Sequence, residues 1–177
     1  MSPPLFRQLL GKEMDALPPL LQEAHDASDR QRWEGLADIT VSRNPAAWLL
    51  CRVMNLPARG RGVPVTVIFE RSEGHENWLR TFAGRSYRSE LSVKGGRVVE
   101  RMGPATNVFR LSVKDGRLLL DLEEFRFLGL GLPSWLRPRC HASEREERGR
   151  NIFDVPVSVP WLGRVIRYTG SMERRDA

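Results

Sequence analysis

The sequence predicts a mainly β chain of the α+β class: an antiparallel meander of about eight to ten strands, forming a curved sheet or barrel, with two or three short N-terminal helices. Three observations carry this. From Val63 to Met172 apolar residues recur at alternate positions, the period of a strand. Gly95-Gly96 and Asp115-Gly116 are hairpin dipeptides between such runs. No helical pattern separates the strands after residue 63, so hairpins rather than parallel crossovers connect them.

The elements follow in order. Leu5, Phe6, Leu9 and Leu10 repeat at helical spacing behind two prolines, and Gly11 interrupts them. Pro18 and Pro19 start a second short helix with Leu20, Leu21 and Ala24. Trp33, Gly35, Ala37, Ile39 and Val41 then alternate as a strand. Asn44-Pro45 opens a third helix with Asn44 as its cap, and AAWLLCRVMNL is apolar nearly all round, which predicts a covered helix.

Val63, Val65, Val67 and Phe69 share one strand face; Trp78 and Phe82 share the next; Tyr87, Ser89, Leu91 and Val93 follow. VVERMG, NVFRLSV, the long RLLLDLEEFRF, RCHASEREE, NIFDVPVSV and GRVIRYTGSM complete the meander. The tail MERRDA is expected to fray. Phe127 to Leu136, in FRFLGLGLPSWLRPR, carries no charge and is flanked by Arg126, Arg137 and Arg139. It is too short, and too broken by Gly129, Gly131 and Pro133, to span a bilayer. Either it is a corner burying Leu130, Leu132, Trp135 and Leu136 against the early helices, or it is a lid beside a cavity. Phe127, Trp135 and Arg137 are its candidate lid or docking residues.

The 177 residues suit a single domain, 1–177, with a core over about 5–172. The formal charge of +6 comes from 28 basic and 22 acidic residues, and all the basic ones except Lys12, Lys94 and Lys114 are arginines. Residues 1–88 hold 12 basic and 10 acidic groups and residues 89–177 hold 16 and 12, so neither half is a basic arm and no nucleic-acid partner is expected. Two distant cysteines, Cys51 and Cys140, supply neither a disulfide framework nor metal spacing, and a reducing, cytoplasmic location is the expectation. MSPPLFRQLLGKEM lacks the basic and apolar segments of a secretory leader, and no segment is long enough for a transmembrane helix, which leaves peripheral membrane contact open.

No catalytic constellation is apparent. There is no G-x-S-x-G elbow, and Gly129-x-Gly131 lacks the strand and helix of a dinucleotide loop. His25 and His75 read as solvated, and His141 and Glu144 point to opposite faces of one strand, so no metal or other cofactor is expected. Asp121 and Glu123 share a face, which reads as an outward face rather than as a glycosidase pair. More telling are polar residues on faces that look inward: Arg80 between Trp78 and Phe82, Glu144 beside Cys140 and Ala142, Arg164 in line with Tyr168, and Arg101 near Gly103-Pro104. Charges facing an apolar interior are costly unless paired, and a ligand cavity with a few polar groups would account for them.

The segments Trp78-x-x-x-Phe82-x-Gly84, Arg101-x-Gly103-Pro104, Leu132-Pro133 to Pro138, Phe153-Asp154-Val155 and Pro160-x-Leu162-Gly163-Arg164-x-x-Arg167-Tyr168-x-Gly170 resemble a bacterial domain-of-unknown-function family, DUF4166. The likeness runs from about Leu5 to Met172, with Trp161 and Met102 departing from the aliphatic and aromatic residues expected there. The resemblance implies a domain found alone or behind a saccharopine-dehydrogenase-like module; these residues contain no such module, so no reductase role follows.

The leading expectation is a non-catalytic binding module for a lipid-like or other hydrophobic small molecule. Trp78, Phe82 and Tyr168 would line its cavity, and Arg101, Glu144 and Arg164 would meet a polar head group. The alternatives are an interaction module for a dehydrogenase-like protein partner, and an enzyme on a hydrophobic substrate using Glu144 as a base of raised pKa.

Overall fold

The structure is a computed structural model that describes residues 3–27, 30–54, 56–72 and 74–175. Helix α1 (Leu5–Leu10), a 3-10 turn (Gly11–Ala16) and α2 (Pro19–Asp26) come first. Strand β1 (Gln31–Val41) leads to α3 (Pro45–Val53), then to β2 (Gly60–Ser72), β3 (His75–Phe82), β4 (Arg85–Lys94), β5 (Arg97–Met102), β6 (Ala105–Lys114) and β7 (Arg117–Phe127). The two-residue β8 (Leu130–Gly131) lies in the connection to β9 (Arg139–Glu147), which β10 (Arg150–Val159) and β11 (Gly163–Arg175) follow.

The meander closes. Each long strand pairs antiparallel with the next, β6 pairs β7, and β11 returns to β1 from Arg32↔Arg175 to Val41↔Ile166. Ten strands form the barrel, and β8 is appended to β7. The tail expected to fray is paired as far as Arg175; Asp176 and Ala177 lie outside the described residues.

The chain alternates between two ends. One end receives the turns after β2, β4, β6 and β9; the other receives α3, the turns after β3, β5 and β10, and the β7–β9 connection. Helices α1 and α2 plug the first end, touching β4, β6, β9 and β10. Their apolar faces meet the barrel interior: Phe6, Met14, Leu21, Trp33, Phe69 and Trp78 are buried together. Full burial of such side chains stabilises by roughly 1.5–3 kcal/mol each. Glu76, 1% exposed, pins the plug to β3. It accepts the Leu5 N–H (3.3 Å) and the Trp78 indole N–H (3.0 Å) and faces the Arg71 guanidinium at 3.5 Å.

His25 is also in the plug and is fully buried, not solvated as expected. It stacks on Phe6 at 4.5 Å, and its Nε2 meets Glu144 at 2.9 Å. The end of α2 faces the barrel rather than water, and an isolated short helix does not show which of its ends will be covered.

Beside the plug the β1–β11 seam is tight. A Cβ on Gly35 would stand 1.8 Å from the Ser171 carbonyl oxygen, and one on Gly170 would stand 2.3 Å from that of Leu36. Only glycine permits this approach. The β7–β9 seam is the opposite case, with only Leu118–Asp121 paired to Glu144–His141. Beyond it the strands part, and the connection fills the slit. Leu132 N–H donates to Phe125 O (3.1 Å), and the Arg137 guanidinium donates to Glu123 O.

Candidate functional site

Above the plug the barrel encloses a cavity of about 390 Å³. Inward alternate positions build its wall: Leu91 from β4, Val98 from β5, Phe109 from β6, Leu120 from β7, Val157 from β10 and Ile166 from β11. At the mouth α3 contributes Leu50 and Met54, and the β7–β9 connection contributes Leu132, Leu136 and Pro138. Asn44 starts α3 with a side-chain bond to Ala46 N–H at 2.9 Å, which sets the helix across the opening.

A polar floor lies within these apolar walls. The Arg80 guanidinium donates to Ser89 Oγ (2.6 Å) and Glu100 Oε1 (3.1 Å), and Asn107 Nδ2 donates to Glu100 Oε2 at 3.2 Å. The guanidinium also lies 4.7 Å over the Trp78 ring and 5.9 Å from that of Tyr87. The floor is therefore an internally neutralised ion pair held by its own hydrogen bonds. Tyr87 and Tyr168 flank it, with Phe82 parallel to Tyr87 and edge-on to Tyr168. The Tyr87 hydroxyl is buried, with the Tyr168 side chain as its weak hydrogen-bonding neighbour. Burial pushes the Tyr87 pKa up to about 12, against the pull of Arg80, and burial likewise raises Tyr168 well above the ordinary phenol value. Both phenols are neutral donors at physiological pH.

The floor offers poor nucleophiles. Burial raises the Cys140 thiol, which lines the cavity, to about 12, so it is protonated at neutral pH. Among the described residues no histidine lines the cavity, and no three His, Cys, Asp or Glu side chains converge as metal ligands.

Trp78, Tyr168 and Phe127 line the cavity. Phe82 is buried behind Tyr87. Three charged residues expected at a ligand head group lie elsewhere. Arg101 is exposed on the outer face, because Val98, Glu100 and Met102 are the inward set of β5. Arg164 is exposed at the open end, just past the β10–β11 turn.

Glu144 is turned into the plug, where His25 (2.9 Å) and Asn151 (2.8 Å) both meet its Oε2. Burial drives its carboxyl up, but His25, Asn151 and Arg80 outweigh that and hold it below the ordinary range. A general base of raised pKa needs the reverse. Asp121 and Glu123 face outward, paired with His141 and with Arg97 and Arg110.

Trp135 is 60% exposed and Leu130 74%, so the uncharged stretch is not a corner packed on the early helices, which sit at the far end of the barrel. Helix α3 is likewise not covered: Trp48, Leu49 and Val53 face outward. Glu100, Asn107 and Tyr87 join the cavity without being among the residues expected there. The alternation of Val98, Glu100 and Met102 is the signal that marks Glu100, and Tyr87 already stands on an inward face with Leu91 and Val93.

The family model described as "Domain of unknown function (DUF4166)" matches residues 17–172. Among solved structures, the one titled "Crystal Structure of Rv2717c from M. tuberculosis" is similar at 13% identity, over 90% of this chain and 99% of that one, with a TM-score of 0.51. That likeness concerns the fold alone. No curated protein matches the chain at a significant level.

Proposed function

The chain belongs to the DUF4166 family, and from that premise we propose that it is a binding module for a neutral hydrophobic small molecule carrying a hydroxyl or carbonyl group. The cavity is the observation that carries this reading: about 390 Å³ of apolar space inside the barrel, within the usual range for small-molecule sites. Its floor narrows the ligand class. Arg80 and Glu100 already neutralise each other, so a charged head group would have to break that pair. The buried Tyr87 hydroxyl, only weakly bonded to Tyr168, instead suits one acceptor on an otherwise apolar molecule.

The test is solvent extraction of the purified protein with mass spectrometry of the extract, followed by titration with an environment-sensitive fluorescent probe. Ala142→Phe projects a ring into the cavity and is expected to abolish probe binding; Tyr87→Phe is expected to weaken polar ligands about tenfold and leave pure hydrocarbons unaffected. A protein that yields no extractable molecule and ignores such probes would sink the proposal. An interaction module for a dehydrogenase-like protein accounts for exposed residues around the mouth but not for the enclosed cavity.

A further inference from the structure

The open end of the barrel segregates both charge and aromatic residues. The segments 41–54, 56–61, 83–86, 126–139 and 159–164 form this rim, and together they contain nine arginines and no aspartate or glutamate. The formal charge of +6 thus divides into +9 at the rim and −3 for the rest of the chain. Among the described residues, rim arginines such as Arg43, Arg52, Arg85 and Arg164 form no ion pair and are exposed. Most arginines on the plug and the barrel walls, such as Arg7, Arg97, Arg110 and Arg167, are matched to carboxylates.

Between the rim arginines stand large apolar side chains. Trp161 is 87% exposed, at the tip of the β10–β11 turn, and Leu128 and Leu130 are 72% and 74% exposed. Trp48 and Trp135 are also exposed, whereas Trp33 and Trp78, at the plugged end, are buried. All three exposed tryptophans therefore share one end with the unpaired arginines.

We infer that this rim docks on an anionic phospholipid bilayer, with the mouth of the cavity facing the lipid. Charge complementarity identifies the partner: unpaired arginines attract acidic headgroups, tryptophans settle at the headgroup level, and Leu128 and Leu130 enter the acyl boundary. A nucleic acid would engage the arginines and leave those leucines in water. The geometry also couples to the barrel: α3 turns Trp48, Leu49 and Val53 outward and Leu50 and Met54 into the mouth. The inference rests on the rim and does not depend on what the cavity holds.

Flotation of the intact protein with vesicles tests it. Vesicles of equal parts phosphatidylglycerol and phosphatidylcholine are expected to carry the protein upward, with a blue shift of tryptophan emission. Pure phosphatidylcholine is expected to bind it at least about tenfold more weakly. Trp135→Ala with Trp161→Ala is expected to shrink the blue shift to what Trp48 alone supplies, and Arg43→Glu with Arg164→Glu to weaken anionic binding about tenfold or more, all with unchanged melting temperature because these side chains are exposed. Ala142→Phe, which fills the cavity, should float like the wild type, so failure of docking and failure of ligand binding are distinguishable. Absence from the anionic vesicle fraction, equal affinity for neutral vesicles, or binding indifferent to both pairs of substitutions would overturn the inference. So would tighter binding to a soluble nucleic acid than to the vesicles.

Discussion

Replacing Arg80 with Met leaves the Glu100 carboxylate at the floor of an apolar cavity with only Asn107 to bond it. Removing one partner of a buried ion pair costs about 3–5 kcal/mol. The side chains of Arg80 and Glu100 keep 17% and 11% exposure, so some water reaches them and the lower figure, about 3 kcal/mol, is the better guide. Glu100→Leu strands the guanidinium and should cost about as much. If the two losses were independent, the double variant would lose about 6 kcal/mol, a large share of the roughly 5–15 kcal/mol that holds a domain together. The pair is not independent. Replacing both members removes both charges, and the remaining cost is the unpaired Ser89 and Asn107, about 1 kcal/mol each. The double variant should therefore be more stable than either single one. Urea unfolding of the four proteins at neutral pH measures the coupling directly. Additive losses, or a single-variant loss below about 1 kcal/mol, would refute the view that the floor is one neutralised unit.

Two further outcomes follow from the plug and the tight seam. Gly35→Ala forces a methyl group against the Ser171 carbonyl and is expected to cost at least about 3 kcal/mol, whereas Gly11→Ala, in open space at φ +53°, should cost about 1 kcal/mol; similar melting temperatures for the two would contradict the seam geometry. The Glu144 carboxyl is depressed in the folded protein, so its contribution is present above the unfolded carboxylate pKa and is lost as pH falls through the lower folded value. Thermal melts between neutral and acid pH should show a steeper acid loss for wild type than for Glu144→Gln, and parallel curves would count against the His25–Glu144 contact.

The barrel was legible because its signals are local. Gly95-Gly96 and Asp115-Gly116 mark turns wherever they fall, and the run from Tyr87 to Val93 alternates cleanly between its two faces. Strand β5 is harder: Val98 and Val99 are both apolar, so six residues fit either face, and the pattern alone does not show that Arg101 points outward. His25 and Trp48 fail in opposite directions for one reason. Each lies on a short helix whose burial depends on which barrel end it reaches, and no local pattern records that. The charge pattern was hidden in the same way. Basic residues spread over both halves of the chain, but successive connections return to the same two ends, and only closure brings the acid-free ones together.

The seam between β1 and β11 joins Arg32 to Arg175, so the ring cannot be completed until the last strand of the barrel has left the ribosome. Until then both β1 and β10 present bare hydrogen-bonding edges, open to pairing with other chains. Such long sequence separation slows folding into the millisecond-to-second range. Nascent chains are then expected to stay sensitive to protease and to aggregation until residues beyond Gly163 are free to pair. Truncation within β11 should remove the barrel as a whole rather than one strand of it.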